Sequence, residues 1–190
     1  MIKIEIWASG GGTNADKIIS YFKKIPNINV VSLGCNRKDA GAFKVANKHG
    51  IKSIYWDKKS WEISKIIHDV EERSIDFIVL AGFLKLVPKE IIERYEGRII
   101  NIHPSLLPSY GGKNMYGDYV HQAVIDNKEH KSGISIHEVN EEFDKGKILA
   151  QFTTSINSYD GVIQLKNKIQ KLEHQNYSPV IHSWIKTKSQ

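Results

Sequence analysis

Cysteine is almost missing from this chain. Cys35 is the one cysteine in 190 residues, which excludes an internal disulfide framework and any thiolate-rich metal site. It reads instead as a small core residue near a strand end. No apolar run approaches the ~20 residues that cross a bilayer. The opening Met1-Ile2-Lys3-Ile4-Glu5-Ile6-Trp7 has neither a long apolar centre nor a small-residue cleavage site, so no signal peptide is expected. A cytoplasmic location without a membrane partner follows. Arginine is scarce, at Arg37, Arg73, Arg94 and Arg98 only, although Lys and Arg together number 27 and the net charge is +6. The lysines are spread along the chain and not interleaved with aromatics in one run, which argues against a nucleic-acid surface. Such an excess suits steering of an anionic small substrate.

What is present is ordinary globular material, 41% hydrophobic and 25% charged, at a length that fits one domain of ~100–200 residues. No repeat, low-complexity stretch or linker divides it, so residues 1–190 are expected to form a single domain. Strands are expected at Ile2 to Ala8, Asn29 to Cys35, Ile51 to Trp56, Ile75 to Ala81 and Arg98 to His103. Helices alternate with them at Ala15 to Lys24, Gly41 to His49, Ser60 to Arg73 and Pro88 to Tyr95. That alternation predicts an α/β fold, a Rossmann-like open and mostly parallel sheet flanked by helices. Past a glycine-rich loop and a helix over Asp118 to Asn127, the pattern changes. Gly133 to Asn140 and Lys147 to Thr154 read as an antiparallel pair joined by an acidic turn. A terminal helical region, Tyr159 to Trp184, is expected to break near Pro179.

Two segments carry chemistry. Ser9-Gly10-Gly11-Gly12-Thr13-Asn14 joins the first strand to the first helix, where backbone N–H groups and the helix dipole favour an anion. No Gly-Lys-Ser/Thr follows, so it is not a Walker A loop. Gly10, Gly12 and Ala15 match a dinucleotide fingerprint weakly, and Cys35-Asn36-Arg37 offers no acid for a ribose. Phosphate binding, a phosphorylated nicotinamide cofactor and a merely structural turn all remain open on these residues. The second segment is Asn101-Ile102-His103-Pro104. Period-two geometry puts Asn101 and His103 on one face, at the carboxyl end of a parallel strand where open α/β sheets place their ligands. A proton carrier beside a carboxamide donor suits acyl transfer. A carboxylate to tune the histidine is available at Glu141, Glu142 or Asp144, and the local sequence does not choose among them.

Asn101-Ile102-His103-Pro104-Ser105-Leu106-Leu107-Pro108 resembles the signature of the folate-dependent formyltransferase superfamily. Ser9 to Asn14, Leu80 to Leu86, Gly133 to His137 and Asp144 to Leu149 match its other blocks in order, over nearly the whole chain. The resemblance implies transfer of a formyl group from 10-formyltetrahydrofolate to the amine of phosphoribosylglycinamide in purine biosynthesis, by a monomer or homodimer. It implies that His103 is the general acid, that Asn101 meets the oxyanion, and that Asp144 raises the histidine pKa and organises proton transfer. Gly12, Thr13 and Asn14 would hold the substrate phosphate, with Gln170 and Glu173 on the rest of that substrate. The folate pocket would be lined by Leu84, Lys85, Leu86, Val87, Asn101 and the turn Asn140, Glu141, Glu142, Phe143 and Asp144, with Lys59 near the anionic ligands. No metal is expected, since His103, His121, His130, His137, His174 and His182 show no paired ligand spacing.

Two departures from the family pattern stand out: Ile134 replaces a small polar residue, and the loop from Ser109 to Gly117 is longer and richer in glycine. Neither is expected to touch the triad of Asn101, His103 and Asp144. The alternatives are other members of the superfamily, an oxidoreductase and a non-catalytic module. A methionyl-tRNA formyltransferase would add a C-terminal domain and an arginine-rich loop, and a formyltetrahydrofolate hydrolase an N-terminal regulatory domain; neither is expected here. A phosphorylated-nicotinamide oxidoreductase fits the glycine turn alone. A non-catalytic ligand-binding module would have lost the triad.

Overall fold

Side-chain alternation along the strands feeds two separate cores. In the computed structural model, which describes residues 1–57 and 61–189, β1 (Ile2–Ala8) sends Ile4, Ile6 and Ala8 into one cluster and Trp7 into the other. The strand β4 (Phe77–Leu80) divides likewise, Phe77 and Val79 against Ile78 and Leu80. A strand buried on both faces tends to read as a near-continuous apolar run, and Phe77–Leu80 is legible as a central strand for that reason. The first cluster is covered by α1 (Thr13–Phe22), α2 (Ala42–His49), α5 (Asp118–Asp126) and α6 (Val162–Lys188). The second is covered by α3 (Ile63–Glu72) and α4 (Lys89–Arg94).

With β2 (Ile28–Cys35), β3 (Lys52–Tyr55), β5 (Ile99–His103), β6 (Lys131–Glu138) and β7 (Ile148–Ser155), the sheet has seven strands in the order β3-β2-β1-β4-β5-β6-β7. The first five are parallel; β6 and β7 run antiparallel. This is the expected architecture. Strand order reverses between β1 and β4, and the crevice beyond the strand ends there is where such sheets bind ligands. The glycine turn and the end of β5 both open onto it.

The helix α6 runs unbroken over 27 residues with Pro179 inside it, so the expected interruption does not occur. Proline in a helix interior costs about 3 kcal/mol. Beyond it, Ile181, Trp184 and Ile185 are buried, each contributing about 1.5–3 kcal/mol, and their burial outweighs the lost hydrogen bond. Tyr177, just before the proline, donates its hydroxyl to the carbonyls of Leu80 at 2.8 Å and Ile100 at 3.3 Å, pinning the helix to β4 and β5. At the N-terminal end of α3, Ser60 lies outside the described residues, and Trp61 precedes the helix. Trp61 stacks on Phe83 instead, with centroids 5.9 Å apart.

One charge lies fully inside the sheet. Glu5 on β1 is buried and accepts hydrogen bonds from Trp7 Nε1, Ser32 Oγ and both Nε and Nη2 of Arg73. Arg73 is itself only 13% exposed, so water cannot replace it. Removing one partner of a buried pair strands the other charge. Arg73→Met is therefore expected to lower the unfolding free energy by about 3–5 kcal/mol, read by urea denaturation. A loss below about 1 kcal/mol, as for an exposed pair, would contradict this.

Candidate active site

The end of β5 is positioned by its antiparallel neighbour. The β5–β6 register sets Asn101 opposite His137 and His103 opposite Ser135. Ser135 Oγ accepts from the Leu107 N–H at 2.8 Å and donates to the Ser105 carbonyl at 2.7 Å, so the chain leaving His103 is tied back to β6. Gln151 Nε2 on β7 adds bonds to Ser135 Oγ and to the Leu107 carbonyl. The proline-bracketed exit is thus held by side chains from two strands as well as by its own stiffness.

Asp144 arrives on the turn between β6 and β7. The turn closes at Gly146, where a Cβ would fall 1.7 Å from the Glu138 carbonyl oxygen; only glycine permits that approach. Asp144 itself takes a left-handed φ of 57°. Its carboxylate, 9% exposed, lies with Oδ2 3.3 Å from His103 Nδ1 and Oδ1 3.6 Å from His137 Nε2. The Gly112 N–H donates to Oδ2 at 2.9 Å. Burial alone would push this carboxyl's pKa up. Polar contact with His103 and His137, the His103 charge and the Gly112 N–H overcome it, and hold the pKa well below the ordinary carboxylate range.

Asn101, His103 and Asp144 are thereby brought together, joined by a residue to which the sequence assigned no role. His137 lies between Asn101 and Asp144. The Glu138 carbonyl, 2.8 Å from His137 Nδ1, accepts a hydrogen there, leaving Nε2 of the neutral ring to accept from Asn101 Nδ2 at 3.1 Å. The available signal was the Ser135-x-His137 spacing, which mirrors Asn101-x-His103 on the facing strand. A second correction concerns the loop from Ser109 to Gly117. It does touch the triad, through Gly112 on Asp144 and through the Tyr110 carbonyl, 2.7 Å from His103 Nε2.

These groups face a cavity of about 510 Å³. One wall carries Leu84, Lys85, Leu86, Val87 and Phe143 with Asn140 and Glu142 at its edge; the other carries Asn14, Gln170 and Glu173. Glu141 is not on the wall; it pairs outward with Lys89 at 3.4 Å. Lys59 lies outside the described residues. Lys85 Nζ sits 3.9 Å from the centre of the Trp61 ring. Asn14 Nδ2 donates to Glu173 Oε2 at 3.0 Å; burial raises the Glu173 pKa, and the Asn14 bond opposes that in part. His121 on α5, also missed, lines the same cavity with its pKa lowered by burial. Its Nδ1 has no partner among the described residues.

Gly12 and Thr13 are not part of this cavity's lining, although Thr13 Oγ1 accepts from Gln170 Nε2 at 3.5 Å. At Gly12, φ is 81° and a Cβ would meet Ala42 Cα at 2.8 Å, so the turn requires glycine there. No side chain caps α1, which leaves its first-turn N–H groups open. A second hollow of about 450 Å³ flanks the turn, between Ser9–Gly11 and residues 37–41, with Arg37 and Lys38 on its rim.

Comparison with known proteins converges on one family. A family model described as formyl transferase matches residues 2–181. A chloroplastic phosphoribosylglycinamide formyltransferase of Arabidopsis thaliana is 38% identical over 94% of this chain. The chain spans 64% of that plant protein's length. A phosphoribosylglycinamide formyltransferase of Bacillus subtilis is 32% identical, with 95% of this chain and 93% of the relative covered. The crystal structure of the enzyme of that name from Bacillus halodurans superposes with a TM-score of 0.86 at 34% identity, covering 95% and 94% of the two chains.

The lowered pKa of Asp144 has a measurable sign. A depressed carboxylate stabilises the fold fully above its unfolded pKa of about 3.9, and loses that contribution only as pH falls through the lower folded value. The Asp144 carboxyl 13C resonance is expected to remain that of a carboxylate from pH 9 down to about pH 4. A titration step within that range would show that the groups around it do not prevail over its burial.

Proposed function

The chain belongs to the formyl transferase family, and from that premise we propose that it transfers the formyl group of 10-formyltetrahydrofolate to the amine of phosphoribosylglycinamide. The products are formylglycinamide ribonucleotide and tetrahydrofolate. The reading extends to a cytoplasmic enzyme of purine biosynthesis that acts on small molecules, as a monomer or homodimer. Among the described residues no helix is long and apolar enough to cross a membrane.

The observation that carries the proposal is the linked set Asn101, His137, Asp144 and His103 inside a cavity with two unlike walls. The wall of Leu84, Leu86, Val87 and Phe143 suits a flat, largely apolar ring system. The wall of Asn14, Gln170 and Glu173 suits a ribose and its amide, with Gly12, Thr13 and Asn14 presenting open N–H groups to the phosphate.

The residues' work follows from their bonding. The amine adds to the formyl carbon, and the carbonyl oxygen becomes an oxyanion. Asn101 has two N–H hydrogens on Nδ2; one goes to His137, and the other is left for the oxyanion. His103 carries the proton that must leave the amine nitrogen and reach the departing folate nitrogen, whose bond to the formyl carbon then breaks. Asp144, kept ionised, stabilises the imidazolium in between.

Purified protein given both substrates is expected to release tetrahydrofolate only when the glycinamide acceptor is present. Release with water alone would favour a formyltetrahydrofolate hydrolase. His103→Ala and Asp144→Asn are each expected to lower kcat by about 10²-fold or more while both ligands still bind by calorimetry. Near-wild-type kcat in either variant would remove its assigned role.

A further inference from the structure

The loop segment at residues 110–112 folds onto the catalytic pair through main-chain atoms. The Tyr110 carbonyl oxygen lies 2.7 Å from His103 Nε2. The Gly112 N–H reaches Asp144 Oδ2 at 2.9 Å. Between them, a Cβ at Gly111 would come within 2.4 Å of Leu107 Cδ2 and 3.3 Å of Asp144 Cβ.

Tyr110 is held in this position against its own preference. Its φ of 57° is left-handed, which is disfavoured for a bulky L-residue. Its hydroxyl donates to Glu129 Oε1 at 2.7 Å and accepts from Asn127 Nδ2 at 3.1 Å, and its ring packs against the core. A strained backbone persists where its surroundings over-determine it. Here the fixed quantity is the direction of one carbonyl.

A carbonyl oxygen can only accept, so a ring nitrogen 2.7 Å away carries a hydrogen. Other ionisable groups facing His103 are Asp144 from the β6–β7 turn, His121 from α5 and Glu173 from α6. Of these, Asp144 meets Nδ1. Among the described residues Tyr110 is the hydrogen-bond partner of Nε2.

We propose that the Tyr110 carbonyl locks His103 as the Nε2–H tautomer, so that Nδ1 is the nitrogen that takes up and gives back the proton, and Tyr110 is a positioning residue. In the neutral ring, Nε2–H stays on Tyr110 and the Nδ1 lone pair lies 3.3 Å from the Asp144 carboxylate, which favours its protonation. Nδ1 takes the proton of the amine nitrogen as the new C–N bond forms, giving an imidazolium whose Nδ1–H faces Asp144. The same proton passes to the departing nitrogen as its bond to carbon breaks, and the ring is neutral again. The second half of this inference rests on the proposed transfer reaction; the tautomer itself does not.

The test is 15N NMR of histidine-labelled protein, at a pH where His103 is neutral, with no substrate present. The wild type is expected to show the Nε2–H tautomer. Tyr110→Phe, which keeps the ring and removes the clamp to Glu129 and Asn127, is expected to give a mixture of tautomers. Its kcat should fall about tenfold with both KM values little changed. An Nδ1–H tautomer or an even mixture in the wild type would overturn the proposal. So would a Tyr110→Phe protein whose His103 spectrum and kcat match wild type. A wild-type Nε2–H signal in a protein that fails to formylate the glycinamide would instead count against the transfer reaction, leaving the lock in place.

Discussion

A carboxylate withdrawn from water costs several kcal/mol unless donors meet it, and Asp144 is the place where this chain satisfies that demand. Its partners come from three segments distant in sequence: the end of β5, the end of β6 and the loop after Pro108. The charge is therefore a joint. It requires His103 and His137 to point inward, requires the loop to bend over them, and requires the β6–β7 turn to close as tightly as Gly146 allows. The cavity's catalytic wall is the set of surfaces that remains once those conditions are met.

The antiparallel addition to the sheet gains its meaning from that joint. In an all-parallel sheet each strand offers its carboxyl end alone to the crevice. Because β6 runs back along β5, His137 comes level with Asn101 and turns two strand ends into one network. On the far side, α6 spans the sheet and is bolted to it along its C-terminal half. Tyr177 holds the carbonyls of Leu80 and Ile100, and Trp184 and Lys188 hold Glu138. Gln170 and Glu173, nearer its start, are presented to the cavity by a helix with little freedom to shift.

Much of this was legible from the residues. Period-two spacing put Asn101 and His103 on one face, and the βα alternation put them at a ligand-binding edge; both are local properties. Family resemblance chose Asp144 over Glu141 and Glu142, and Glu141 indeed pairs outward with Lys89. His137 was harder, because its role depends on a register between strands whose partners lie 36 residues apart. Pro179 misled because its local cost is visible in the sequence, whereas the burial of Ile181, Trp184 and Ile185 that overrides it is not. The contacts of the loop at 110–112 were invisible for a different reason. They are made by a carbonyl, an N–H and a bare Cα, groups that nearly every residue type carries.

That last property bears on how such a site can change over evolutionary time. A side-chain contact is lost at the first unsuitable codon change, but a main-chain contact survives any replacement that preserves the path of the backbone. Along this loop, Lys113, Asn114, Met115 and Tyr116 line the cavity with their side chains while Tyr110 and Gly112 address the catalytic pair with their peptide groups. The lineage is thus free to vary the lettering that meets ligands without rewriting the part that governs the proton. The two kinds of selection act on one stretch of nine residues and leave each other largely undisturbed.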